Sequence, residues 1–238
     1  MWKGKKVSLI LPTYNEKDSI RKSINDFEDL KIIDDIIVVN NNAAKGTSEE
    51  VAKTSAREVI ETDQGYGAAI QRGFKETDAD LIFVCEPDDT FVANDVYKFL
   101  SYIDDVEVVY GSRTVKNFIG TGANMGRFLK WGNWFVAKLM EILYQTNSLS
   151  DVGCTFRLIR KNTLKKMIGH FRIRDNFFGP EMMLLTKHLD IPFVQIPVKY
   201  KERVGESSVT GDLIKAFKLG MQMIWLILTF KFRGYKKK

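Results

Sequence analysis

Residues 84–91, Val-Cys-Glu-Pro-Asp-Asp-Thr-Phe, crowd Glu86, Asp88 and Asp89 together directly after an apolar run. Carboxylates that close repel one another unless a cation offsets them. Glu86 and Asp88 stand two apart, so on an extended turn both can face one way. Mg²⁺ or Mn²⁺ suits such a pair, because these ions take one or two carboxylates and complete their shell with phosphate oxygens and water. An ion held there neutralises charge building on a diphosphate leaving group. The plainer alternative is a solvated turn. No Cys/His spacing points to zinc, and His170 and His188 read as surface or helix residues.

Other polar clusters carry compatible chemistry. In "LPTYNE", Tyr14 offers a ring to stack on a base and Glu16 a carboxylate to accept from ribose or base, although Asn-Glu also suits a helix cap. In "QGYGAAIQRGF", Gly65 and Gly67 precede a helical run, where a backbone can approach a ligand closely and the helix N-terminus favours anions. Arg72 in that run reaches toward a phosphate or lies in solvent. Arg113, Arg127, Arg157 and Arg203 are candidate phosphate anchors, since the guanidinium fork matches phosphate oxygens; each taken singly also fits a surface charge. Asp151 is a candidate general base for a hydroxyl acceptor, or an orienting partner for Arg157. A phosphate monoester acceptor needs no base, because its second pKa is about 6.

These clusters need a frame that gathers them. Strand-like runs at Val7–Leu11, Asp35–Val39, Leu81–Cys85 and Val106–Tyr110 alternate with helical patterns near Ser19–Phe27, Ser48–Ala56, Ala68–Glu76 and Asp95–Ile103. That alternation predicts an α/β fold with a mostly parallel sheet and helices on both faces. Ligands then bind beyond the carboxyl ends of the strands, where "PTYNE", "NNNAAKGT" and "EPDDTF" all fall.

The chain has 238 residues, 45% of them hydrophobic, which suffices for one domain with a substantial core. Its net charge of +6 suits phosphate-rich partners or an anionic membrane surface. Scattered lysines without a recognition motif argue against nucleic acid. Cys85 and Cys154, in apolar surroundings, suggest a reduced intracellular protein. The first apolar run is strand-length and ends at a proline, so no signal peptide is expected.

Residues 124–145 carry an apolar stripe of Phe128, Trp131, Phe135, Leu139 and Ile142 at helical spacing, flanked by Lys130 and Lys138. Core is the ordinary fate of such a stripe, and a membrane-water boundary is the alternative. The apolar segment 219–230 is shorter than the ~20 residues of a span. It reads as an interfacial or core helix before a basic tail. The expected division is a domain over 1–210 and a C-terminal segment over 211–238.

Taken in order, "VSLILPTYNE", "VVNNNAAKGT", "QGYGAAIQRGF", "EPDDTF", "YGSR" and "SDVGCTFRLIR" resemble the family 2 inverting glycosyltransferases, to about Ser208. The chain looks most like the branch of dolichyl- and polyprenyl-phosphate mannose and glucose synthases. The resemblance implies a GT-A fold that binds a sugar nucleotide and a metal. It assigns Pro12, Tyr14 and Glu16 to the nucleoside loop, and Glu86 and Asp88 to the Asp-x-Asp metal motif. Arg113 matches Gly-Ser-Arg, and Asp151 and Arg157 match Asp-x-x-x-Gly-Phe-Arg, with Thr155 in the glycine's place. Arg203, Gly205 and Ser207 match Arg-x-x-Gly-x-Ser near the acceptor phosphate, without the lysine that often follows. Asn40-Asn41 replaces the usual Asp-Asp, exchanging an acceptor carboxylate for an amide that also donates, which leaves uracil and guanine both open. The implied activity is metal-dependent transfer of a hexose from a nucleotide diphosphate sugar to polyprenyl phosphate, by a peripheral protein at the cytoplasmic face of a membrane. Transfer to a saccharide hydroxyl and a non-catalytic sugar-nucleotide module are the alternatives.

Overall fold

The computed structural model describes residues 1–120, 122–123, 127–205 and 213–233, the side chains of 127–129, 213, 215 and 233 excepted. In chain order the elements are β1 (Val7–Thr13), α1 (Lys17–Glu28), β2 (Asp35–Asn40), α2 (Thr47–Val51), β3 (Arg57–Ile60), α3 (Tyr66–Glu76), β4 (Leu81–Val84) and α4 (Val96–Tyr102). They continue as β5 (Val108–Ser112), α5 (Arg127–Tyr144), β6 (Arg157–Arg160), α6 (Lys161–Met167), α7 (Phe178–His188), β7 (Phe193–Pro197) and α8 (Leu213–Arg233).

The strands form one sheet of order β3-β2-β1-β4-β6-β5-β7. Pairings β1–β2, β1–β4, β2–β3 and β5–β7 are parallel, while β6 runs antiparallel to both β4 and β5. All strands but β6 therefore point one way, and their carboxyl ends share an edge. Helices cover both faces, so β1 is buried along its whole length. Alternate residues of β1 enter different cores: Ile10 joins Ile37, Ile82, Phe74 and Phe178, whereas Leu9 and Leu11 join Ile20, Phe83, Phe99 and Phe156. Each such side chain, fully buried, contributes about 1.5–3 kcal/mol. At Gly73 of α3 a methyl would overlap the Ile10 side chain, so glycine sets how closely this helix lies on the sheet.

β3, β6 and β7 escape the sequence pattern because each is short and interrupted by polar side chains, Arg57 and Glu58 in β3 and Gln195 in β7, so none reads as an apolar run. β6 is also bounded by Arg157 and Arg160, so it shows no continuous apolar run.

The stripe on α5 behaves against expectation. Trp131, Phe135 and Ile142 are 66%, 57% and 74% exposed, and Leu139 is only half-buried. The buried face is instead Val136, Ala137 and Met140. The helix is apolar on more than one side, and Leu139, Leu143 and Tyr144 flank the side that meets the core. Phe128 lies outside the described side chains. α8 divides similarly: Met223, Ile227 and Phe230 are buried, while Phe217, Met221, Trp225 and Phe232 are exposed. Tyr144 Oη donates to Ile227 O at 2.7 Å and ties α5 to α8. No helix among the described residues is long and apolar enough to cross a membrane.

Candidate functional site

A cleft of about 890 Å³ opens at the carboxyl edge of the sheet, with Pro12, Tyr14, Glu16, Gly65, Glu86, Arg113 and Arg203 in its wall. The end of β1 and the loops after β1, β3, β4, β5 and β7 bring these residues together. Pro12 sits in β1 opposite Val39 of β2, and the Tyr14 ring beyond it is 43% exposed.

Glu16 folds back on its own loop. Its Oε2 accepts from Tyr14 N at 2.7 Å, Asn15 N at 2.9 Å and Thr13 Oγ1 at 3.2 Å. It makes no side-chain cap on α1. Its Oε1 pairs with Arg203 Nη2 at 3.1 Å, and Arg203 Nη1 reaches Asp88 Oδ2 at 3.2 Å. Arg203 thus bridges the first and third polar loops.

The acidic triplet after β4 is sorted by its backbone. Asp88 is buried, and its Oδ1 accepts from Thr90 N at 3.1 Å and Thr90 Oγ1 at 2.6 Å. Asp89 adopts the left-handed conformation, φ 62°, and turns to Lys22 and Lys201, each at 2.8 Å. Burial works to raise its carboxyl, yet the two lysines outweigh it and hold the group low. The Glu86 carboxylate makes no hydrogen bond or ion pair among the described residues and faces the cleft. Burial and the neighbouring Asp88 charge push it up to about 7, against the pull of Arg203 and Arg113. Glu86 thus faces the cleft without a protein partner among the described residues, whereas Asp88 is anchored by Thr90 and Arg203. This donor set fits Mg²⁺ or Mn²⁺ with phosphate and water completing the shell, and no cluster of three or more protein ligands exists among the described residues.

Across the cleft, Asp151 is 1% exposed and fully engaged. Its Oδ2 accepts from Arg113 N and Nε, both at 2.9 Å, and its Oδ1 from Arg113 Nη2 at 3.0 Å and Gly153 N at 2.9 Å. Asn133 Nδ2 adds a fifth bond. Burial alone would raise the Asp151 carboxyl, but the Arg113 charge and these donors keep it below the usual carboxylate range. Gln195 fixes the loop by accepting from Ser150 N at 2.7 Å and Asp151 N at 3.2 Å. Asn133 and Gln195 were invisible as site residues, since a lone amide in an apolar helix or short strand carries no local signal.

Several expected roles move. Arg157 is 2% exposed and does not meet Asp151. Its Nε and Nη2 donate to Cys154 O at 3.1 and 2.8 Å, its Nη1 to Gly179 O at 3.3 Å, and it lies over the Tyr110 ring. β6 points this side chain under α7, where its donors are spent on backbone, so it does not line the cleft. Arg72 also stands away from the cleft, about 9 Å along α3 from Tyr66, and pairs with Glu76 at 2.8 Å. Asn40 closes a local network with Glu58, Ser48 and Ala43 N, and Asn41 is the amide that lines the cleft. Asn41 donates to Glu61 O and Asp63 O, both at 2.8 Å, and accepts from Gly65 N at 2.8 Å and Gln64 Nε2 at 3.1 Å. Both N–H groups of its amide and its single carbonyl oxygen, which accepts twice, hold the 61–65 loop.

The glycines serve the protein's own backbone. A Cβ at Gly65, whose φ is 155°, would collide with the Arg174 carbonyl, and one at Gly67 would lie 2.7 Å from Ile173 O and 2.8 Å from Phe178 Cβ. Ala68 N in the first turn of α3 is already bonded to Arg174 O at 2.9 Å, so the helix N-terminus is partly used. Gly65 borders the cleft and Gly67 does not. The Arg127 side chain and Ser207 lie outside the described residues.

The pattern of glycosyl transferase family 2 matches residues 8–168, more than half of the chain. The chain belongs to glycosyl transferase family 2. It is similar to an undecaprenyl-phosphate mannosyltransferase of Micrococcus luteus, 25% identical over 220 residues covering 88% of this chain and 89% of the relative. A dolichyl-phosphate hexose transferase of Haloferax volcanii is 24% identical over 204 residues, covering 85% of this chain and 86% of the relative. Among solved structures, glucosyl-3-phosphoglycerate synthase from Mycobacterium tuberculosis, in complex with Mn²⁺, uridine diphosphate and glucosyl-3-phosphoglycerate, superposes with a TM-score of 0.74. That match has 16% identity and covers 96% of this chain and 80% of the other, so it speaks to the fold alone. The transferase has the GT-A architecture, and this neighbour has also been solved with Mg²⁺ and uridine diphosphate.

Proposed function

We propose that the transferase moves a hexose from a nucleotide diphosphate sugar to a polyprenyl phosphate, with inversion, at the cytoplasmic face of a membrane. The observation that carries this reading is the mixed lining of the cleft. Glu86, Arg113 and Arg203 line it together with Phe135 and Val136 of α5 and Phe217, Met221 and Met223 of α8. One cavity thus offers cations for an anionic headgroup and a hydrocarbon wall for the chain attached to it. The exposed Trp131, Phe135, Phe217 and Trp225 extend that apolar wall onto the outer faces of α5 and α8, as a helix lying in a lipid interface requires. The curated relatives in Micrococcus and Haloferax carry names that specify lipid-phosphate acceptors.

The chemistry follows from charge. Near pH 7 an acceptor phosphate is already an anion and needs no base. Arg113, held by Asp151, presents a fixed cation toward the cleft, and it stays charged at every physiological pH. One acceptor oxygen bonds to the anomeric carbon as that carbon's bond to the diphosphate breaks, the electron pair leaving with the nucleotide. Glu86 and Asp88 would hold Mg²⁺ or Mn²⁺, whose charge stabilises that leaving diphosphate. A hydroxyl acceptor would need a base with free lone pairs, and Asp151 has five donors on its carboxylate.

The test is incubation of the purified protein with labelled UDP- and GDP-hexoses, Mn²⁺ and vesicles containing undecaprenyl or dolichyl phosphate, read by mass spectrometry. A glycosylated lipid phosphate is the expected product. Turnover onto a saccharide hydroxyl with no glycolipid from any donor would overturn the acceptor assignment.

A further inference from the structure

Two hydroxyls in the cleft wall lack any protein partner among the described residues: Tyr66 Oη and Thr155 Oγ1. Thr155 is 8% exposed. The same molecule shows how unusual this is. Each of the other buried threonines, Thr13, Thr47, Thr90, Thr163 and Thr186, has a hydrogen-bond partner for its hydroxyl. The phenols of Tyr110 and Tyr144 are likewise satisfied, by Thr186 at 2.7 Å and by Ile227 O at 2.7 Å. A buried hydroxyl left unpaired is costly, so a protein that pairs its other buried threonine hydroxyls leaves this one open at a cost in stability.

We infer that Tyr66 and Thr155 determine donor specificity by hydrogen-bonding hydroxyls of the transferred hexose. The inference rests on the reading that the cleft binds a nucleotide diphosphate sugar. Tyr66 opens α3 and lines the same cleft as Glu86 and Thr155, its phenol buried without a protein partner among the described residues. Both hydroxyls donate and accept, which is the complement of a sugar hydroxyl. Phosphates are better served by the guanidinium groups of Arg113 and Arg203 in the same wall. Arg157, the cation behind this corner, is consumed by Cys154 O and Gly179 O. A nucleobase would find its stacking surface at the half-exposed Tyr14 instead. A polyol is the ligand left for two neutral hydroxyls. Thr155 also stands where the family motif has glycine, so its hydroxyl is a feature of this chain rather than of the motif.

The test uses Tyr66→Phe, Thr155→Val and the double variant, each removing a hydroxyl and keeping the shape. Calorimetry with Mn²⁺ would measure binding of UDP and GDP alone, then of UDP-glucose, UDP-galactose and GDP-mannose. Nucleoside diphosphate affinity should be unchanged, while affinity for the preferred sugar nucleotide falls about three- to tenfold per hydroxyl removed. Discrimination between epimeric donors should narrow as well. Without ligand, the variants should melt at or above the wild-type temperature, because an unpaired buried group has gone. Equal losses for diphosphate and sugar nucleotide would overturn the inference in favour of a structural role, as would unchanged affinity for every donor. If the wild type binds UDP or GDP but gains nothing from an attached sugar, the sugar contact fails alone. If it binds no nucleotide at all, the sugar-nucleotide reading fails and the inference with it.

Discussion

Asp151→Asn separates a positioning carboxylate from a catalytic base. The substitution keeps shape but removes the charge that opposes Arg113, and its amide must turn N–H groups toward the donors now at 2.9–3.0 Å. Removing one partner of a buried ion pair costs about 3–5 kcal/mol. At this chain length 1 kcal/mol lowers Tm by about 2–4 °C, so a fall of roughly 6–20 °C is expected at neutral pH. The sign with pH follows from the depressed Asp151 carboxyl. Its contribution is complete above the ordinary aspartate pKa of about 3.9 and disappears as pH falls through the lower folded value. The gap between wild type and variant should therefore be flat from pH 6 to 8 and close in strong acid. Turnover should fall with no change in the shape of its pH profile, because Asp151 acts through Arg113. Arg113→Gln should have a comparable effect, and the double variant should be little worse than either single one. The refuting result is a stable Asp151→Asn protein in which a wild-type acid limb of the pH–rate profile has vanished, since that is the mark of a general base.

Arg203→Gln frees Asp88 Oδ2 from the cation that now lies 3.2 Å away. Mn²⁺ binding without donor, followed by electron paramagnetic resonance, should become several-fold tighter; weaker binding would show that Arg203 orders the carboxylates rather than competing for them. Gly67→Ala drives a methyl against Ile173 O and Phe178 Cβ, so overpacking of about 1–3 kcal/mol is expected in chemical denaturation. Because Asp175 and Asn176 on that segment border the cleft, nucleotide affinity should fall with it. A variant of wild-type stability and affinity would mean that α3 moves freely against this segment.

Local chemistry made much of the site legible in the sequence. A parallel sheet sends its carboxyl ends to one edge, so polar clusters that follow apolar runs must meet there whatever the remaining topology. That logic located Tyr14, Glu16 and Glu86 and named Mg²⁺ or Mn²⁺ chemistry from residue types alone, while Arg113 was singled out by its guanidinium and its Gly-Ser-Arg setting. Tertiary structure decided which groups are free. Asp88 and Asp89 are adjacent in sequence, yet one faces Arg203 and the other two lysines, because a single left-handed residue turns the chain. Asp151 pairs with Arg113, 38 residues away, rather than with nearby Arg157, because β6 directs Arg157 beneath α7. The faces of α5 and α8 were equally undetermined, since a helix apolar on several sides does not encode which side the core will take. The unpaired hydroxyls of Tyr66 and Thr155 exist only in the folded chain, where satisfaction depends on every neighbour at once. Sequence spacing places groups along one element, whereas pairing and burial are set by how distant elements register against each other.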